Sequence, residues 1–208
     1  MAGHGIRRMT SAGRFMDIGS VFRRSFHVIS PVFLAYYLLP ESLGGGITLT
    51  GVVLLFVGTA ACIEVARSAL GIPLLGMRPY EGKRVSAYFQ GTVGLAFGLF
   101  LIRDPAIVVP VFLGMAWIDP LAALARRRKW PRTLVVGAYF GLFIGTEVVM
   151  NSVPSLTWQF VLAIVATAAA MIVEGPKHPL PDDDLLMLVV PMAVLWVVAA
   201  IFRPPGLL

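Results

Sequence analysis

The sequence predicts an all-α, polytopic transmembrane helical bundle of about seven spans, with the N-terminus cytoplasmic and the C-terminus outside. Three observations predict it. The 208 residues are 58% hydrophobic and only 13% charged, where soluble domains carry about a quarter charged residues. The mean hydropathy is +0.84. Fifteen of the seventeen Lys and Arg residues fall in four segments that alternate with charge-poor gaps between long apolar runs.

Spans of about 20 residues or slightly fewer fit at 27–41, 46–68, 85–102, 105–125, 133–151, 157–174 and 185–202. The first run begins only after fairly polar residues and lacks a small-residue cleavage site, so the expectation is a retained span and not a removed signal peptide. Residues 1–22 read as a cytoplasmic tail, and 23–208 as one integral membrane domain. Orientation follows from the bases. Arg7, Arg8, Arg14, Arg23 and Arg24 precede the first span, and the next gap, at 40–46, has none. Arg67, Arg78, Lys83 and Arg84 follow the second span, and Arg103 alone follows the third. Arg126, Arg127, Arg128, Lys129 and Arg132 come next, then an empty loop at 151–155, then Lys177 and finally Arg203. This alternation is the positive-inside pattern. It also accounts for the net charge of +6 and the pI near 10.0, so no nucleic-acid partner is expected.

Within the spans, Gly91, Gly94 and Gly98, and the cluster Ala166, Ala168, Ala169 and Ala170, read as close helix packing. The lone Cys62 excludes a disulfide framework and reads as a packed thiol. No GxxxxGK[ST] sequence occurs, which excludes a P-loop.

The polar residues placed against the bilayer carry the chemistry. Asp119 lies seven residues before Arg126, about 10 Å along a helix at 1.5 Å per residue. A carboxylate at that depth needs a partner, water or a metal, so it either pairs with an Arg of another helix or does chemistry. Pro120 predicts a local break beside it. Arg23 and His27 share a face at i, i+4; they either bind phosphate or serve as an anchor and a packed histidine. Glu64 and Arg67, at i, i+3, suit an ion pair. Arg78-Pro79-Tyr80-Glu81-Gly82-Lys83-Arg84 mixes an acid with three bases in a turn. In the basic run, Arg126 shares roughly the face of Asp119, and any of these arginines could fork onto phosphate. Glu174 and Asp182-Asp183-Asp184 border the last basic segment. Clustered carboxylates suit Mg²⁺ or cap the last helix, with Asp184 the cap. Glu147, toward the outer end, reads as structural.

Taken in order, these features resemble the membrane family of dolichol kinases, phytol kinases and CTP-dependent diacylglycerol kinases. Arg23-Arg24-Ser25-Phe26-His27 is similar to that family's early basic-to-histidine signature. The stretch from Glu64 through Arg67 to Arg84 is similar to its acid-plus-basic loop before a Gly-rich helix. Asp119 followed by small residues and Arg126 resembles its aspartate motif, although Ile118 stands where the family often has Gly. Glu174 with Pro181, Asp182, Asp183, Asp184 and Pro191 resembles its late acidic pattern. The likeness runs from about residue 20 to 195.

The resemblance implies transfer of the γ-phosphate of a nucleoside triphosphate, CTP first, to the hydroxyl of a polyprenol or related lipid alcohol at the cytoplasmic face. It implies Asp119 and Asp183 as catalytic residues. Arg23, His27, Lys83, Arg84, Arg126 and Arg128 would bind the nucleotide phosphates, and Asp119, Asp182, Asp183 and Glu174 would hold Mg²⁺. The expected partners are the lipid alcohol, the nucleotide and membrane lipids; the oligomeric state stays open. Two alternatives remain at this point: a CTP-dependent cytidylyltransferase forming a CDP-lipid, and a non-enzymatic lipid-binding or transport protein.

Overall fold

A computed structural model describes residues 12–77, 82, 84–174, 181–204 and 207. The chain is mostly helical. In order it forms α1 (Ala12–Ile29), a 3₁₀ segment (Ser30–Leu38), a two-stranded antiparallel hairpin of β1 (Ser42–Gly44) and β2 (Ile47–Thr48), and α2 (Leu49–Leu70). There follow α3 (Ala87–Phe97), α4 (Pro105–Leu113), α5 (Asp119–Arg128), α6 (Arg132–Met150), α7 (Leu156–Val173) and α8 (Asp183–Phe202). Single π-helical turns, Gly98–Ile102 and Gly114–Ile118, continue α3 and join α4 to α5.

Five helices are long and apolar enough to cross a membrane: α2, the continuous 105–128 segment, α6, α7 and α8. Their bounds lie within three residues of the expected spans. The expected spans at 27–41 and 85–102 come out differently. The second of these is a shorter apolar helix, Ala87–Ile102. The first is not one α-helix. Pro31 disfavours helical geometry at Ser30, and the Ser30 hydroxyl instead donates to the His27 carbonyl at 2.7 Å. The chain tightens there into the 3₁₀ segment.

Polarity is distributed as a lipid solvent requires. Large apolar side chains face outward, with Leu55 71%, Ile172 74% and Val149 86% exposed, while Glu147 and Asp184 lie inside at 0% and 3%. Water would favour the reverse, so the folded chain is that of a membrane protein. The core sits where α3, α4, α6, α7 and α8 meet, around Val108, Val111, Tyr139, Phe143, Leu188 and Met192. On α7, Ala163, Ala166 and Ala170 are fully buried, the close packing expected of small residues. By contrast, Ala168 and Cys62 face outward.

The glycines of α3 divide. A Cβ on Gly94 would lie 2.7 Å from Leu188 Cδ1, and one on Gly98 would lie 3.0 Å from Met192 Sδ, so both let α8 approach. A Cβ on Gly91 meets nothing within 4 Å. Close packing therefore does not explain Gly91. The tightest approach is at Gly114, where a Cβ would lie 2.4 Å from a Tyr139 ring carbon. Gly114→Ala is expected to cost about 1–3 kcal/mol through overpacking. Thermal unfolding in detergent checks this, with Gly141→Ala, which has open space, retaining the parent midpoint.

Candidate functional site

The N-terminus of α8 sets out three consecutive carboxylates. Asp182 is the cap: its Oδ1 accepts from the Asp183 amide at 3.0 Å. Asp184 is thus not the cap that the sequence suggested. It lies two residues further in, 3% exposed, and faces α1. Arg23 Nη2 donates to Asp184 Oδ2 at 2.9 Å and stands 3.7 Å from Asp182 Oδ2. One turn later on α1, His27 Nε2 lies 3.4 Å from the same Asp184 oxygen. Asp119 completes the group: His27, Asp119 and Asp184 each offer a donor atom within 4.8 Å of the others. Asp182, Asp183 and Asp184 do the same.

Three elements far apart in sequence meet here because other side chains hold them. Trp117 Nε1, in the π turn before Asp119, donates to the Val28 carbonyl at 3.2 Å and fixes α1 against that turn. Pro120 lacks the N–H that would reach back into that turn, and a π turn immediately precedes Asp119. The helix nonetheless runs on from 105 to 128, so a π turn stands where the sequence predicted a break. Gln90 on α3 bridges two segments. Its Nε2 donates to the Val85 carbonyl at 3.0 Å, and its Oε1 accepts from the Asp182 amide at 2.7 Å.

Behind Gln90, Glu64 accepts from both the Ser86 amide (2.9 Å) and the Ser86 hydroxyl (2.6 Å), and Arg67 Nε donates to it at 3.1 Å. Arg67 also donates to the Arg84 carbonyl at 2.6 Å. The expected Glu64–Arg67 pair therefore positions the loop that starts α3, and through Gln90 the start of α8. Sequence reasoning missed Gln90 and Ser86. A buried amide two helical residues from a run of small apolar ones was the available signal.

The other expected site residues distribute as follows. Arg126 and Glu174 pair with each other, and Arg132 stands 3.8 Å from the same carboxylate. Glu174 is thus held by arginines of α5 and α6, and it belongs to neither of the two donor groups. Arg128 lies over the Trp130 ring, 5.6 Å from its centroid, directed at that ring and not at the carboxylates. Arg84 meets the network through its backbone carbonyl. Lys83, with Arg78, Glu81 and Lys177, lies outside the described residues. Asp183 Oδ1 is buried and finds no hydrogen-bond partner among the described residues.

Beside the cluster lies an open cleft between α1, α2, α3 and the Phe112–Met115 stretch. Arg23, His27 and Asp184 form its polar end, and most of the remaining lining is apolar.

Chemically, the group combines a guanidinium, an imidazole and four carboxylates. The Asp182–Asp184 set offers only oxygens, which suits a hard divalent cation; the set with His27 suits a softer one. Burial first, then the adjoining carboxylates of Asp183 and Asp184, push the Asp182 carboxyl up to about 7 against the pull of Arg23. A raised carboxyl holds a proton in the folded chain that the unfolded chain releases above its ordinary value of 3.8. Its contribution to stability is therefore fully present below that value and is lost as pH rises through about 7. The melting midpoint without added metal is expected to fall between about pH 6 and about pH 8. Asp182→Asn is expected to flatten that dependence, and scanning calorimetry in detergent at the two pH values measures it.

No protein-family model, curated protein or solved structure matches the chain.

Proposed function

We propose that this protein is a membrane lipid kinase. It transfers the γ-phosphate of a nucleoside triphosphate, CTP first, to the hydroxyl of a polyprenol or related lipid alcohol at the cytoplasmic face. One observation carries the reading. Arg23, His27, Asp119 and Asp182–Asp184, from three separate helices, converge at one end of the bundle, each close in sequence to one of the basic segments. Anchoring by positive charge explains the bases but gives no reason to gather four carboxylates among them.

In this reading seven segments cross the bilayer, N-terminus inside and C-terminus outside. Two of them are short: the end of α1 with its 3₁₀ extension, and α3 with its π turn. The 16 residues of Ala87–Ile102 rise about 24 Å at 1.5 Å per residue, against a hydrocarbon core of about 30 Å. Short or interrupted segments are where helical membrane proteins commonly place their substrates.

The chemistry is positioning and charge neutralisation, as in phosphoryl transfer generally. Arg23 and His27 receive phosphate oxygens, and the approach of a phosphate draws Arg23 from Asp184. Asp119 accepts the proton of the lipid hydroxyl as the new O–P bond forms. The bond between the β-phosphate oxygen and the γ-phosphorus breaks, and the nucleoside diphosphate leaves. Asp182, Asp183 and Asp184 would hold Mg²⁺, which supplies charge neutralisation at the β- and γ-phosphates when bound. The open Asp183 Oδ1 and the all-oxygen set fit that ion. The Arg126–Glu174 pair braces α5 against the end of α7 beside the cluster.

The test is transfer of radiolabel from γ-labelled CTP, ATP or GTP to a panel of prenols and diacylglycerol by the purified, folded protein. Label in a lipid that depends on Mg²⁺ supports the reading; no lipid label from any nucleotide sinks it.

A second reading, a carrier, draws on Glu147. It is 0% exposed, with neither carboxylate oxygen partnered among the described residues, and an intramembrane acid of that kind often marks an ion or proton path. Proton flux into liposomes that is abolished by Glu147→Gln, without any lipid phosphorylation, would favour the carrier.

A further inference from the structure

The cleft beside the cluster has a shape and chemistry of its own. Its polar end is Arg23, His27 and Asp184; its sides are walled by Phe26, Phe33, Phe56 and Tyr88. Two aromatic pairs join those walls. Phe26 on α1 meets Tyr88 on α3 edge-on at 5.3 Å, and Phe33 in the 3₁₀ segment meets Phe56 on α2 at 4.9 Å. The floor runs along α3 from Ala87 to Leu95, about 12 Å at 1.5 Å per residue. Gly91 stands midway on that floor. It sits inside a helix with ordinary geometry, and a Cβ there would meet nothing within 4 Å. Its neighbours Gly94 and Gly98 are small because α8 presses on them. Gly91 has no such neighbour, and what its missing side chain leaves open is the cleft.

We propose that this cleft seats the hydrocarbon of a single-chain alcohol, with its hydroxyl at the polar end, where Asp119 offers an oxygen within 4.8 Å of His27 and Asp184, and that Gly91 sets the width available to the chain. The proposal rests on the kinase reading for the fate of the hydroxyl, but the seating can be measured without turnover. Several features select this occupant. One polar end on an otherwise apolar trough matches an amphiphile with one small polar head. The outward faces around the trough are apolar, so a chain reaches it from the bilayer. Aromatic rings meet across the trough at two places, Phe26 with Tyr88 and Phe33 with Phe56, and such a narrow apolar channel suits one chain lying along it.

The experiment uses the full chain in phosphatidylcholine nanodiscs with a farnesol-type alcohol carrying a diazirine at its far end. After illumination, cross-linked peptides are mapped by mass spectrometry. The expected result is labelling at the far end of the cleft, around Phe33, Phe56 and Leu95. Unlabelled prenol is expected to displace it, and dioleoylglycerol to do so poorly. Gly91→Leu is expected to reduce this labelling at least about tenfold, the range for a filled apolar pocket, with Gly91→Ala between. Leu is a better helix former than Gly, and an unchanged melting midpoint shows that the variant is folded. Gly137→Leu, on an outward-facing position of α6 with open space, is expected to label like the parent.

Labelling spread over the outer faces of α2 and α6 and unaffected by Gly91→Leu overturns the proposal, as does equal displacement by dioleoylglycerol. The two readings separate cleanly. Capture at the far end of the cleft without any phosphate transfer leaves the seat standing and removes the kinase. Transfer with unaltered KM for prenol in Gly91→Leu leaves the kinase and removes the seat.

Discussion

Asp184→Ala is expected to destabilise the folded protein by about 3–5 kcal/mol, the cost of leaving one partner of a buried ion pair uncompensated. Arg23 is itself buried, and its Nη2 lies 2.9 Å from Asp184 and 3.7 Å from Asp182. Removing Asp184 takes from that guanidinium its 2.9 Å carboxylate partner. His27 loses its 3.4 Å contact as well. The double variant Arg23→Met with Asp184→Leu is expected to recover much of the stability, because apolar replacement of a whole buried pair is commonly neutral or better. It recovers no phosphate transfer. Chemical or thermal unfolding in one detergent measures all three proteins. An Asp184→Ala midpoint equal to the parent's would mean that the pair contributes nothing to folding.

The second large effect is at Asp119. Asp119→Asn keeps the shape of the side chain but removes the base proposed for the lipid hydroxyl. Transfer is expected to fall by about 10²–10⁴-fold, the usual range for a general base, while nucleotide binding changes little. Asp184→Asn, which leaves Arg23 a hydrogen-bond acceptor, is expected to weaken both binding and transfer. The readout is the separation of kcat from KM for the nucleotide. If Asp119→Asn raises KM for the nucleotide and leaves kcat intact, Asp119 belongs to the phosphate site and the base is elsewhere.

Much of this fold is legible in the sequence, for a physical reason. In a bilayer the backbone must satisfy itself, so apolar length translates directly into helix. α2, α6, α7 and α8 lie within three residues of the runs that predict them. Legibility stops where local geometry departs from the plain α-helix. Hydropathy registers 27–41 as one span; Pro31 and the Ser30 hydroxyl turn it into 3₁₀. Hydropathy is equally blind to the two π turns, since a π turn changes which carbonyl a residue reaches and not what the residue is.

The site divides the same way. Arg23 and His27 are recognisable from their i, i+4 spacing, and Asp119 from the cost of its position. Which of three adjacent aspartates caps α8 and which faces α1 depends on where the helix starts, since each residue turns the helix by about 100°. Asp182 caps and Asp184 turns inward. The Arg126–Glu174 pair joins residues 48 apart, and Gln90 reaches Asp182 across 92. No spacing rule within a helix connects such residues. Both links exist because neighbouring helices end at one level, which is a property of the packed bundle.

The measurement closest to the central claim uses CTP labelled separately at its α- and γ-phosphates. It is given with a polyprenol and Mg²⁺ to the purified protein and to Asp119→Asn. The account predicts that γ-label alone enters the lipid with the parent protein and that Asp119→Asn loses most of it. Label from the α-phosphate in the lipid, or none from either, contradicts the account.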